Sequence, residues 1–73
     1  MQENKNKDNN ISGIVIEALP NTFFKVKRDD SGEEIICYLA GKMRMNLIRI
    51  MVGDKVIFVS DPYGGKGRII RRI

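Results

Sequence analysis

Covalent chemistry has little to work with in this sequence. Its 73 residues include one cysteine, Cys37, and no histidine. That removes any Ser/His/Asp or Cys/His arrangement, and it leaves no zinc-ligand pattern and no internal disulfide. Four carboxylates, Asp29, Asp30, Glu33 and Glu34, flank Ser31-Gly32. This reads as a turn, and acids on an exposed turn lack the burial that raises a pKa toward general-acid work. Gly64-Gly65-Lys66-Gly67 has the glycines of a phosphate-binding loop but not the Gly-x-x-x-x-Gly-Lys-Ser/Thr spacing. Non-covalent chemistry is better supplied. The net charge of +4 is unevenly spread, with −2 over residues 1–40 and +6 over residues 41–73. The basic half holds Lys42, Arg44, Arg49, Lys55, Lys66, Arg68, Arg71 and Arg72 against Asp54 and Asp61. Clustered lysine and arginine form an electrostatic footprint for a polyanion, and nearby rings can stack on bases. The residue types point away from catalysis and toward nucleic-acid binding, with no metal, cofactor or small-molecule substrate.

The elements that position these residues must come from one domain, since 73 residues leave no room for a second. A chain this short buries only about 60% of the surface its unfolded form exposes, so a deep cavity is not expected. Residues 1–10 are polar after Met1 and read as a flexible tail, followed by a folded domain over 11–73. There is no apolar signal-peptide core, and no apolar run approaches the ~20 residues of a membrane span. The expected location is therefore the cytoplasm, or the equivalent organellar compartment.

Ile11–Leu19 is β-branched and closed by Pro20-Asn21, which predicts a strand and a tight turn. Its centre is apolar on both faces, predicting cover on each side, and Gly13 predicts a bulge or sharp bend. Thr22–Arg28 alternates, with Phe24 and Val26 inward and Phe23, Lys25 and Lys27 outward. Asp29–Gly32 is a turn. Glu33–Ala40 is a third strand, with Ile35, Cys37 and Leu39 on one face and Ile36, Tyr38 and Ala40 on the other. From Gly41 the period becomes helical. Met43, Leu47 and Ile50 or Met51 face the core, and Lys42, Asn46 and Arg49 lie opposite, with Arg44 at the border. This predicts a helix of at most two turns. Lys55–Ser60 and Gly67–Ile73 complete the strands, with a loop over Asp61–Gly65 between them.

Three strands, a short helix and two strands is the order of the all-β, five-stranded oligonucleotide-binding barrel, the OB-fold, whose closure removes exposed strand edges. An SH3-like barrel is the nearest alternative and usually lacks the helix. In OB-folds the strand 2–3 face and the loops joining strands 1–2 and 4–5 hold nucleic acid. Those elements supply Phe23, Lys25, Lys27, Arg28, Lys66 and Arg68; the helix adds Lys42, Arg44, Asn46 and Arg49. Each has a plainer alternative. Phe23, Tyr38 and Tyr63 could be edge-of-core rings, and the helix face could simply be solvated. Cys37 reads as a small buried hydrophobe.

Several segments together resemble the bacterial-type translation initiation factor one family. They are Leu19-Pro20-Asn21-Thr22 with Phe24 and Val26, Gly41-Lys42-Met43-Arg44-x-Asn46-x-Ile48-Arg49-Ile50, Gly53-Asp54-Lys55-Val56, Pro62-Tyr63, and Lys66-Gly67-Arg68-Ile69. The likeness runs from about Ile11 to Arg72 and departs from the family pattern at Met45, where a basic residue is common, and at Leu47, where an aromatic is common. The resemblance implies a single S1-like OB-fold acting as a monomer on the small ribosomal subunit at the decoding site. There it would contact ribosomal RNA and a neighbouring ribosomal protein, block premature tRNA binding and cooperate with the other two initiation factors. It implies RNA contact by Lys42, Arg44 and Arg49 and by Lys66, Arg68 and Arg72, in bacterial cytoplasm or plastid stroma. Two other readings stay open on the residues alone: a single-stranded RNA chaperone resembling cold-shock proteins, and a protein-interaction barrel with an acidic partner.

Overall fold

The computed structural model describes residues 10–60 and 65–73. Five strands follow the expected order: β1 (Asn10–Leu19), β2 (Phe23–Arg28), β3 (Glu34–Leu39), β4 (Lys55–Ser60) and β5 (Gly67–Arg72). A single helix, α1 (Gly41–Met45), lies between β3 and β4. The strands close as β1-β2-β3-β5-β4, with β4 returning to β1. All pairs are antiparallel except β3 with β5. The expectations for residues 1–9 and for Asp61–Gly64, including the tail, Pro62-Tyr63 and most of the last loop, lie outside the described residues. The first strand begins at Asn10, one residue earlier than expected, opposite Val59.

Alternation builds the interior. Val15, Phe24, Val26, Cys37, Val56, Phe58 and Ile69 point inward from all five strands and are buried, with Met43 from α1 and Ile50 closing one end. Two expectations for β1 need correction. Its centre is not covered on both sides, because Ile14 and Ile16 lie on the outside with more than a third of their surface exposed. The bulge falls between Val15 and Glu17, not at Gly13. Gly13 instead serves close approach: it pairs with both Arg28 and Val56, and a Cβ there would stand 2.6 Å from the Lys27 carbonyl oxygen.

The helix is shorter than its periodicity suggests. It stops at Met45, and Leu47 takes the left-handed conformation with φ 55°. The Leu47 N–H donates to the Arg44 carbonyl at 3.2 Å, and the Ile48 N–H to the Met43 carbonyl at 3.1 Å. This pair of bonds is a Schellman C-cap, in which glycine usually holds the left-handed position. Leu47 is consequently turned out of the core and 87% exposed, contrary to the sequence reading, while Ile48 and Ile50 turn in. Met51 is exposed as well, so Ile50 takes the core position.

Candidate nucleic-acid interface

The strand register arranges the outer face of β2 and β3 in rows. Phe23 lies opposite Tyr38, and Tyr38 lies beside Arg68 of β5. The Lys66 ammonium stands 5.8 Å from the centre of the Phe23 ring, within range of a cation–π contact. Arg44 from α1 joins them, so that Asn21, Thr22, Phe23, Tyr38, Arg44 and Lys66 line one open groove of about 410 Å³. Two half-buried rings beside three cations can stack a base and hold its phosphates. At the rim, Asn21 and Thr22 have φ of 62° and 60°. That conformation is unfavourable for a β-branched threonine, and such strain gathers at binding sites.

The other expected residues divide into neighbouring groups. Lys42 and Asn46 line a second groove with Arg71 and Arg72. Arg44 and Arg49 edge a third, more apolar groove over Phe24, Met43 and Ile48. Arg49 does not share a helix face with Lys42 and Asn46, because the chain reverses its path at Leu47. It is linked to β5 differently, through an Arg72 Nη1–H donated to the Arg49 carbonyl at 2.9 Å. A second bulge, at Ile70 between the pairs Ile57–Arg71 and Phe58–Ile69, rephases the end of β5 and brings Arg72 to the barrel rim.

Residues toward the other end of the β2–β3 face stand among carboxylates. Lys25 Nζ lies 3.6 Å from Glu17 and 3.9 Å from Glu34. Lys27 is opposite Glu34 in register. Arg28 grips Asp30 with two hydrogen bonds of 2.9 and 2.8 Å, which hold the Asp30 carboxyl below the usual carboxylate range. The Ser12 hydroxyl donates to Asp29 at 2.8 Å, and with Lys55 at 3.1 Å it lowers the Asp29 pKa. Among the described residues no three or more His, Cys, Asp or Glu are placed to hold a metal ion. No helix among them is long and apolar enough to cross a membrane.

Tyr38, weighed against an edge-of-core role, and Arg71 both lie outside the RNA contacts expected from the sequence. Tyr38 had a usable signal, since its outward phase on β3 matches that of Phe23 on β2. Arg71 had none, because its placement depends on a bulge that only the partner strand defines.

A closed five-stranded barrel in this order, with a helix after β3 and a ring-and-cation groove on the β2–β3 face, defines an OB-fold nucleic-acid-binding protein. The family model described as translation initiation factor 1A / IF-1 matches residues 1–73, and the chain belongs to that family. It is a translation initiation factor that binds RNA in protein biosynthesis, and not an enzyme. A solution structure of translation initiation factor one from the Wolbachia endosymbiont of Brugia malayi is 38% identical with a TM-score of 0.73, covering 100% of this chain and 88% of that one. The chain is also similar to parts of larger proteins. YjeQ from Thermotoga maritima is 31% identical (TM-score 0.73), and YloQ, a circularly permuted GTPase, is 28% identical (TM-score 0.75). The matches cover 88% and 90% of this chain but only 22% and 23% of those two.

Proposed function

We propose that this protein binds the small ribosomal subunit at the decoding site, blocks premature tRNA binding there by occupying the space, and works with the other initiation factors. The supporting observation is the gathering of cations from three separate elements around the Phe23–Tyr38 pair. Phe23 stacks on a base and Asn46 hydrogen-bonds to RNA. Lys42, Arg44, Arg49, Lys66, Arg68 and Arg72 meet phosphates, and a neighbouring ribosomal protein completes the contact. A barrel this small holds its target through many modest charge contacts. Family membership supports action in bacterial cytoplasm or plastid stroma.

Co-sedimentation with purified small and large subunits, followed by chemical footprinting, tests this reading. The protein should pellet with the small subunit and protect decoding-site bases. Replacing Arg44 and Arg68 together with alanine should weaken binding by roughly a hundredfold or more, the scale of two charged hydrogen bonds. Thermal stability should hardly change, since both side chains are exposed. Protection confined to a distant region, or tRNA binding unhindered beside the bound protein, would overturn the assignment.

A further inference from the structure

The outer face of β2 and β3 is the usual platform for single-stranded nucleic acid in this fold, yet only one end of it is arranged for that use. The row of Phe23, Tyr38 and Arg68 has Lys66 and Arg44 beside it. In the next row Glu17 stands opposite Lys25, and Ile36 follows on β3. The row after that sets Lys27 against Glu34. Glu17 and Glu34 both reach the Lys25 ammonium, at 3.6 and 3.9 Å. Across these two rows the carboxylates match the ammonium groups one for one, so an arriving phosphate finds no net attraction. Beyond them lies the turn with Asp29, Asp30 and Glu33, where Arg28 is already held by Asp30.

The position of Glu17 is itself a product of the β1 bulge. Val15 is inward opposite Val26, so with regular alternation Ile16 would stand outside opposite Lys25 and Glu17 would turn inward. The bulge inserts Ile16 as an extra residue and places Glu17 outside, directly across from Lys25. Bulges that re-aim a side chain are common beside functional sites.

We propose that Glu17 and Glu34 are specificity determinants, which occupy Lys25 and keep extended single-stranded RNA off the middle of the β2–β3 face. RNA contact is thereby confined to the end around Phe23, Tyr38, Lys66 and Arg68, where a shaped target can add contacts from α1 and the β5 rim but a loose strand cannot. Discrimination comes from an element that repels the wrong ligand as well as from one that attracts the right one. The inference rests on the RNA-binding reading above and deepens it.

The test uses the full chain and an unstructured oligouridylate of about a dozen nucleotides, with affinity measured by fluorescence anisotropy over a salt series. The variant Glu17→Gln/Glu34→Gln should bind this oligonucleotide about twofold to fivefold more tightly than the parent, the scale of one released surface charge pair. Its salt dependence should steepen by about 0.7, one additional phosphate contact on a single strand. Both gains should vanish when Lys25→Ala is added. Unchanged affinity in the double variant would overturn the proposal, as would a gain that survives the loss of Lys25. Co-sedimentation of the unaltered protein with small subunits is run beside it. Failure there overturns the ribosomal assignment and leaves the oligonucleotide comparison standing.

Discussion

Cys37 shows how completely a neighbourhood can settle the chemistry of one side chain. Its thiol is fully buried, in contact distance of the position a Gly67 Cβ would take, and burial pushes its pKa up from 9.0 to about 12. The thiolate is the nucleophile, so this sulfur is inert while the barrel is closed. The same shift links it to stability. An unfolded chain releases the thiol proton near pH 9, whereas the folded chain keeps it until about pH 12. Stability from this group is therefore complete below pH 9 and is lost as pH rises toward 12, by up to about 1.4 kcal/mol per pH unit. Chemical denaturation of the parent and of Cys37→Ala at several alkaline pH values should show a steeper decline in the parent. Parallel declines would mean that the thiol ionises as easily inside the barrel as outside it. That Cys37 is core was legible in its alternating strand; how tightly Gly67 and Phe58 enclose it was not, because β3 and β5 are far apart in sequence.

The end of α1 is held by a residue poorly suited to it. Leucine in the left-handed region costs roughly 1–2 kcal/mol, and glycine there forgoes about 0.5–1 kcal/mol through its freer unfolded chain. Because Leu47 is almost wholly exposed, little packing is at stake. Leu47→Gly should therefore stabilise the fold by about 0.5–1 kcal/mol, seen as a higher denaturation midpoint; a lower midpoint would show that the side chain packs more than its exposure indicates. The same position explains what could be foreseen among the elements. Strands were legible because runs rich in β-branched and aromatic residues end at turn signals, with clean alternation added in Thr22–Arg28, and turns because Pro20-Asn21 and Ser31-Gly32 carry their own backbone preferences. The helix terminus was hidden, since nothing about a leucine announces a positive φ and its spacing from Met43 suits a longer helix. The bulges at Ile16 and Ile70 were hidden for another reason: register belongs to a pair of strands, and neither strand states it alone. As a result the residue types of the site were readable from the sequence, but their grouping was not. Arg49 was expected beside Lys42 and Asn46, and the chain reversal at Leu47 sends it to a different groove.

Across the whole molecule, charge is separated along the barrel, with the Asp29–Glu34 turn at one end of the β2–β3 face and Lys66, Arg68 and Arg44 at the other. Association through phosphate contacts releases counterions, so the logarithm of subunit affinity should fall linearly with the logarithm of salt concentration. Alanine at Lys42, Arg49 or Arg68 should each flatten that line by about 0.7–0.9 if the residue meets one phosphate. Slopes unchanged in all three would move the interface to another part of the surface. The barrel itself is sealed by its last described strand, which enters between β3 and β4 and meets β3 over only three parallel pairs, Cys37–Gly67, Tyr38–Arg68 and Leu39–Ile69. While the chain is being synthesised, everything up to Ser60 can form no more than an open sheet with two raw edges, a form prone to associate wrongly. The strand that seals those edges also delivers Arg68 and Arg72 to the binding surface. An unfinished chain thus lacks closure and these two cations together, and the same strand supplies both at once.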